Sequence, residues 1–357
     1  MKRLIALLAL ATALGGIAVA EDFYESDGVV YRINDTDGNY ITSVSYPVSI
    51  DDEYISGDDK LYRVIEVSSD SAVAEYLGYE PATGVEAFAF IARAETEPNK
   101  LICMYSTHSD ESYEPTDGAA SLEENAGIYD VGEAFKQALE EKGITVEYSK
   151  DTFLPHDSGA YRRSRSTAEE LLKMEPAALF DLHRDGIPDP DEYEQEINGE
   201  EASMVRLLVG RSNANADANR AFAKQIKSVA DEEYPELIKD IYIGKGNYNQ
   251  ELYPRALLLE FGTHTIDKER AIASTKYVSE VVNEVLFGDT AQAQSTEKSE
   301  TSSAWSGIGW IIGIALLAAV IYALVGTGTF KGMGVKLKRG VSEITGGLIG
   351  KKPKDKE

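Results

Sequence analysis

The hydrophobic pattern changes character several times along the chain. The first twenty residues open on Lys2 and Arg3, run apolar through positions 4 to 14, and close on Gly15-Gly16-Ile17-Ala18-Val19-Ala20. A basic start, a short apolar stretch and a small-x-small end predict a secretory signal over residues 1–20, cleaved after Ala20. An uncleaved anchor is the alternative, and it exports the remainder equally. Residues 21–80 alternate in the manner of strands at 28–33, 40–44 and 60–65. The turn clusters Asn34-Asp35-Thr36-Asp37-Gly38-Asn39 and Ser56-Gly57-Asp58-Asp59 separate them. This stretch predicts a small β-rich module without a catalytic constellation.

Over residues 85–288 short apolar runs alternate with amphipathic stretches. The runs at 87–90, 101–105, 177–182, 206–209 and 256–261 predict strands. Val131, Phe135, Ala138 and Leu139 share one helical face that Gly143 stops, and Ala218, Phe222, Ile226 and Val229 share another. Ser166-Thr167-Ala168-Glu169 has the form of a capping box opening a helix that ends before Pro176. A last helix is expected over 267–287. The alternation implies an α/β domain, a largely parallel sheet flanked by helices. Residues 289–304, rich in Ser, Thr, Gln and Ala, read as a flexible linker.

The 305–325 run holds no charged residue, and its 21 positions suffice for one transmembrane helix. Trp305, Trp310 and Tyr322 lie towards its ends, where amphipathic rings prefer the interface. Residues 326–357 form a basic tail with eight Lys or Arg against three acids, and positive charge stays cytoplasmic. The expected topology is therefore single-pass in the cell membrane, with residues 21–304 extracellular and the tail cytoplasmic.

Composition sharpens this picture in two ways. The chain carries a net charge of −26, and the stretch between signal and tail is more acidic still, which excludes nucleic acid as a partner. A single cysteine, Cys103, sits in the apolar run Leu101-Ile102-Cys103-Met104-Tyr105 and reads as a core residue, so no internal disulfide can support the exported domain.

Three predicted strands end in polar residues that the hydrophobic pattern does not require. One runs into Ser106-Thr107-His108-Ser109-Asp110-Glu111, a second into His183-Arg184-Asp185, and a third into Glu260-Phe261-Gly262. Parallel strands place their C-terminal ends on one edge, where ligands bind, so two of the chain's four histidines and two acids converge there. Two imidazoles and a carboxylate with an open fourth position form a catalytic zinc site. Structural histidines and a solvated glutamate are the alternative.

The segment Leu101-Ile102-Cys103-Met104-Tyr105-Ser106-Thr107-His108-Ser109-Asp110-Glu111-Ser112-Tyr113 resembles the first signature of the stage II sporulation protein P family. Ala178-Leu179-Phe180-Asp181-Leu182-His183-Arg184-Asp185-Gly186-Ile187-Pro188 resembles the second. Tyr248-Asn249-Gln250-Glu251-Leu252 with Arg255-Ala256-Leu257-Leu258-Leu259-Glu260-Phe261-Gly262 is similar to the third. The resemblance covers about residues 85–287 and includes His156-Asp157 to Ser166.

It implies an amidase-like α/β fold holding zinc, and hydrolysis of the bond between N-acetylmuramic acid and L-alanine in peptidoglycan. Endopeptidase action on stem-peptide cross-links, a role in thinning the sporulation septum, and a cell-wall-remodelling protein partner are further implications. Carried over by position, His108 and His183 are metal ligands, Glu111 is the third, with Glu123 and Glu124 as alternatives, and Glu260 is the general base. Asp181 and Arg184 stand as supporting or substrate contacts, or as a core ion pair. Asn249 and Gln250 stand as substrate contacts or as loop-shaping residues. Two features depart from the family: its members usually carry an N-terminal membrane helix, and Thr263-His264-Thr265 stands where Asn-Thr is expected. A wall-binding or scaffolding module without turnover, and a zinc peptidase acting on proteins, are the competing functional readings.

Overall fold

The computed structural model describes residues 30–81 and 99–288. The signal, the strand expected at 87–90, the linker, the 305–325 run and the basic tail lie outside them. Among the described residues, no helix is long and apolar enough to cross a membrane.

The N-terminal stretch forms five strands, β1 (Tyr31–Asp35), β2 (Tyr40–Val44), β3 (Glu53–Ser56), β4 (Lys60–Val67) and β5 (Ser71–Tyr79). Then follow β6 (Leu101–Tyr105), α1 (Glu114–Asp117), α2 (Gly127–Glu140), β7 (Thr145–Tyr148), α3 (Ala160–Leu172) and β8 (Ala178–Asp185). The chain continues through β9 (Glu194–Ile197), β10 (Glu200–Ser203), β11 (Val205–Gly210), α4 (Ala216–Glu233), β12 (Ile238–Gly244), β13 (Ala256–Thr263) and α5 (Lys268–Phe287).

Eleven strands make one sheet in the order β2-β1-β5-β4-β3-β12-β11-β13-β8-β6-β7, and β9 and β10 pair as a separate hairpin. Two expectations change here. The strands of the β-rich stretch do form, but β3 pairs antiparallel with β12, so they extend the α/β sheet. Tyr54 and Ile55 of β3 are buried, and the apolar edge of β12 offers an open ladder for them. The sheet is also mixed and not largely parallel. β13, β8, β6 and β7 run parallel, whereas β11 runs antiparallel to β13. Chain reversal through the β9–β10 hairpin, in place of a helical crossover, sends β11 the other way.

Alternation along the strands divides the core. Ile102, Met104, Phe180, Leu182, Leu207, Val209, Leu257 and Leu259 pack with Phe135 of α2, Phe222 of α4 and Val278 of α5. The opposite face carries Cys103, Leu179 and Ala256 with Ala168 and Leu171 of α3, and Leu208, Tyr242 and Leu258 with Val44, Tyr46 and Tyr161. In the expected stripes Val131, Phe135 and Leu139 of α2 and Ala218, Phe222 and Ile226 of α4 are buried, Ala138 and Val229 are partly buried, and Gly143 ends the α2 segment with φ of 75°.

The capping box is a misreading. Ser166 to Glu169 lie inside α3, which begins at Ala160. The entry signal is Asp157, whose carboxylate accepts from Gly159 N at 2.9 Å. Burial of Tyr161 and Ser164 then extends the helix upstream of the box.

Candidate metal centre

β6, β8 and β13 end on the same edge, as the pattern required, and the residues beyond β6 form a buried loop from Ser106 to Ser112. Asp181 of β8 locks this loop, accepting from Thr107 N at 2.8 Å and Thr107 Oγ1 at 2.7 Å. His108, Glu111 and His183 thereby converge, with donor atoms within 4.8 Å of one another and side chains no more than 1% exposed.

Glu111 Oε1 lies 3.0 Å from His108 Nδ1 and 3.1 Å from His183 Nδ1. Its second oxygen accepts from Arg184 N at 2.9 Å. The Nε2 atoms of both imidazoles are buried without a hydrogen-bond partner among the described residues. Asp181 Oδ1 is 3.0 Å from His183 Nε2 but out of line for a hydrogen bond. Glu123 and Glu124, the alternative acids, are exposed and outside this group.

β-ladder register sets the other half of the site. Asp240 of β12 faces Arg206 of β11, Arg206 faces Glu260 of β13, and Glu260 faces His183 of β8. Four charged or titratable residues thus stand abreast on four neighbouring strands, all no more than 2% exposed. Arg206 donates to Asp240 at 2.7 and 2.9 Å and to Asp185 at 2.8 Å, and its NH1 is 3.9 Å from Glu260 Oε2. Residues of β2 and just beyond it close the row. Thr42 Oγ1 and Ser43 O accept from Arg206 at 2.9 and 3.0 Å, and Ser45 Oγ donates to Asp185 at 2.8 Å.

The electrostatics follow from burial and these partners. Burial opposes the charge on His183, but the Glu111 and Asp181 carboxylates outweigh it and raise the pKa to about 10. His108 is pushed down to about 4, first by burial and then by His156. Burial also opposes the charge on Glu111, yet His183 and His108 hold its pKa well below the usual carboxylate range. Glu260 lies well above that range, through burial first and the neighbouring Asp185 charge second.

The residues present fit a divalent metal. Glu111 Oε1 stands 3.0 and 3.1 Å from two ring nitrogens. A tetrahedral zinc with ligands at about 2.0–2.2 Å has ligand-to-ligand edges of roughly 3.3–3.6 Å, close to that spacing. Charge points the same way. Glu111, Asp181, Asp185 and Asp240 are buried carboxylates, Glu260 is a fifth whose pKa is raised, and Arg184, Arg206 and the His183 imidazole are the buried cations beside them. Uncompensated buried charge is costly, and a dication relieves the excess of carboxylate.

The remaining candidates support or border the centre. Arg184 is buried and donates to Ser112 O at 3.3 Å and Ala120 O at 2.8 Å, bracing the loop that carries Glu111. Gln250 spends its amide on Gly210 N and Leu208 O, and Asn249 spends its own on Tyr161 O and Ser164 Oγ. Both therefore shape the loop. Conversely, the reading missed His156, which stacks on His108 with centroids 4.1 Å apart and shares 3.0 Å with Asp110 Oδ1. It missed Asp185, Tyr193, Arg206 and Asp240 as well. A lone arginine in the apolar run Met204-Val205-Arg206-Leu207-Leu208-Val209 was the available signal.

The family profile described as Stage II sporulation protein P (SpoIIP) matches residues 49–283. The chain belongs to this family. All of His108, Glu111, His183, Arg206 and Glu260 fall inside the matched span, whereas Thr42, Ser43, Ser45 and Tyr46 precede it. A curated relative, Stage II sporulation protein P from Bacillus subtilis (strain 168), is 29% identical over 211 residues, covering 54% of this chain and 52% of its own length. The chain thus spans about half the length of that relative.

Among solved structures, the CwlD amidase from Clostridioides difficile in complex with the GerS lipoprotein is similar at 10% identity and a TM-score of 0.35, over 54% of this chain and 97% of that one. The apo N-acetylmuramyl-L-alanine amidase Ami1 from Mycobacterium abscessus gives 11% and 0.33, over 52% and 95%. These scores are too low to carry a functional argument.

Proposed function

We propose that the chain is a zinc-dependent hydrolase of peptidoglycan amide bonds, acting on the bond between N-acetylmuramic acid and L-alanine, with stem-peptide cross-links as a second substrate. The observation that carries this reading is the convergence of His108, Glu111 and His183, with Glu260 abreast of His183 on the adjoining strand. Membership of a sporulation family supports a role in remodelling the septal wall. The apolar run at 305–325 and the basic tail support action at the outer face of the membrane.

His108, Glu111 and His183 would hold the zinc. When bound, the metal supplies a Lewis acid that polarises a scissile carbonyl and makes water more acidic. Glu260 takes the proton of the attacking water and returns it to the leaving amine. Its raised pKa makes the ionised carboxylate a stronger base than an ordinary glutamate. Asp181 holds the loop of His108 against β8 through Thr107, so one carboxylate keeps two ligands in step.

The test is incubation of the purified protein with isolated peptidoglycan, zinc-loaded or stripped by chelator, with fragments identified by mass spectrometry. Free stem peptides and unsubstituted glycan are expected from the loaded protein. Glu260→Gln should keep its zinc and lose about 100- to 10,000-fold in rate, the span of general acid–base catalysis. Equal release by the stripped protein overturns the zinc dependence, and a zinc-loaded Glu260→Gln variant with wild-type turnover overturns the base.

A further inference from the structure

Glu260 is buried at the end of β13, yet its carboxylate has a single hydrogen-bond partner among the described residues. The Tyr193 hydroxyl lies 3.2 Å from Glu260 Oε2. The same hydroxyl donates to Asp185 Oδ2 at 2.7 Å, so its one proton sits between two carboxylates. Arg206 NH1 stands next nearest, at 3.9 Å, and is engaged by Asp185 at 2.8 Å. A carboxylate with one partner is free to turn once that partner is lost.

Tyr193 itself is immobilised from every side. It follows the short 3-10 turn Pro190–Glu192, whose first residue is preceded by the Asp189 cap, and its ring is fully buried. Lys239 Nζ stands 4.8 Å over the ring centroid, and Lys239 also bonds Glu192. Tyr193 O accepts from Met204 N at 2.7 Å, tying the turn to the approach of β11. The hydroxyl is therefore presented to Glu260 by a rigid frame that touches neither His108 nor Glu111.

We propose that Tyr193 is a positioning residue for Glu260, holding the carboxylate beside His183 in the orientation the reaction needs. The catalytic part of this inference rests on the proposed function. The contact does not, and it is measurable in a protein without metal or substrate. Loss of the phenol spares Asp185, which keeps Arg206, Ser45 Oγ at 2.8 Å and Ile187 N at 3.3 Å. Glu260 alone loses its one hydrogen bond among the described residues and is left with the 3.9 Å contact to Arg206.

The experiment is a double-mutant cycle in the full chain, with wild type, Tyr193→Phe, Glu260→Gln and the double variant. Zinc content, melting temperature without metal, and kcat and KM for peptidoglycan fragments are read on each. Tyr193→Phe should keep its zinc, hold KM within about twofold and lose about 10- to 100-fold in kcat, the scale of a misplaced catalytic group. It should cost little further rate in the Glu260→Gln background, because effects that pass through one residue do not add. Without metal, Tyr193→Phe and Glu260→Leu, which leaves no acceptor where Gln would keep one, should together fall short of additivity by about 2–4 °C in melting temperature. Tyr277→Phe, which removes a buried hydroxyl remote from the centre, controls for stability alone. Wild-type kcat in Tyr193→Phe, an equal loss of rate in Tyr277→Phe, or additive melting temperatures would each overturn the assignment. An inactive wild type with coupled melting temperatures would instead sink the proposed function and leave the Tyr193–Glu260 contact standing.

Discussion

Replacing Glu111 by Gln keeps the shape of the side chain and removes its charge. Glu111 Oε1 serves two imidazoles at 3.0 and 3.1 Å, and Oε2 accepts from Arg184 N, so no other acid can take its place without moving the loop. Outer partners of metal ligands already cost about 10- to 100-fold in affinity when removed, and loss of a charged ligand should cost at least about 100-fold. Linkage turns that factor into stability. Free zinc at about 100 times its dissociation constant stabilises the native state by about 2.7 kcal/mol. For a body of this size that corresponds to a rise of about 5–10 °C in melting temperature. The assay is a thermal melt with chelator and then with micromolar zinc. Wild type, Glu123→Gln and Glu124→Gln should show the full rise, and Glu111→Gln almost none. A full zinc-induced rise in Glu111→Gln, or its loss in Glu123→Gln, would refute the ligand set drawn from the geometry.

Two further outcomes follow from burial. Arg206→Met removes the guanidinium from Asp185, Asp240 and Glu260, and breaking a buried charge pair of this kind costs about 3–5 kcal/mol. Its urea midpoint should fall by about 1 M or more at unchanged slope, and an unshifted midpoint would refute the hub. Cys103 is buried in β6 and its thiol is pushed up to about 12 by burial. Iodoacetamide at pH 8 should leave the native protein unlabelled and label it fully in guanidinium, whereas rapid native labelling would place the thiol at the surface.

Much of the α/β body was legible because its periodicities are strong. Val131, Phe135 and Leu139, or Phe222 and Ile226, repeat at helical spacing, and the apolar runs ending in His108, His183 and Glu260 announce buried strands. What pattern could not give was partnership between strands. The reversal of β11 depends on the short β9–β10 hairpin, and an edge seeking a ladder decides that β3 joins β12. Neither leaves a trace in local hydropathy. The start of α3 was lost for a related reason. Ser166 and Thr167 have the chemistry of a cap, but Ser166 Oγ bonds back to Arg163 O within the helix while tertiary burial of Tyr161 sets the true beginning. The two alternatives for polar loop residues stay open in sequence on the same account. Asn249 and Gln250 look functional in sequence, yet both satisfy backbone groups at strand and helix ends.

The two halves of the centre are held by different means, and this predicts how each responds to change. Arg206, Glu260 and His183 owe their spacing to hydrogen-bonded strands about 4.8 Å apart, a separation that no single side chain sets. His108 and Glu111 sit on a loop whose position depends on named bonds, from Asp181 to Thr107 and from Arg184 to Ser112 and Ala120. Substitutions in the ladder row therefore act on charge and proton transfer in an unmoved frame. Substitutions around the loop act on the geometry of the ligands. The row also reaches beyond the α/β strands. Thr42, Ser43 and Ser45 complete the partners of Arg206 and Asp185, so the N-terminal strands close the buried side of the base. A segment that reads in sequence as a separate module is, in physical terms, part of the wall of the site.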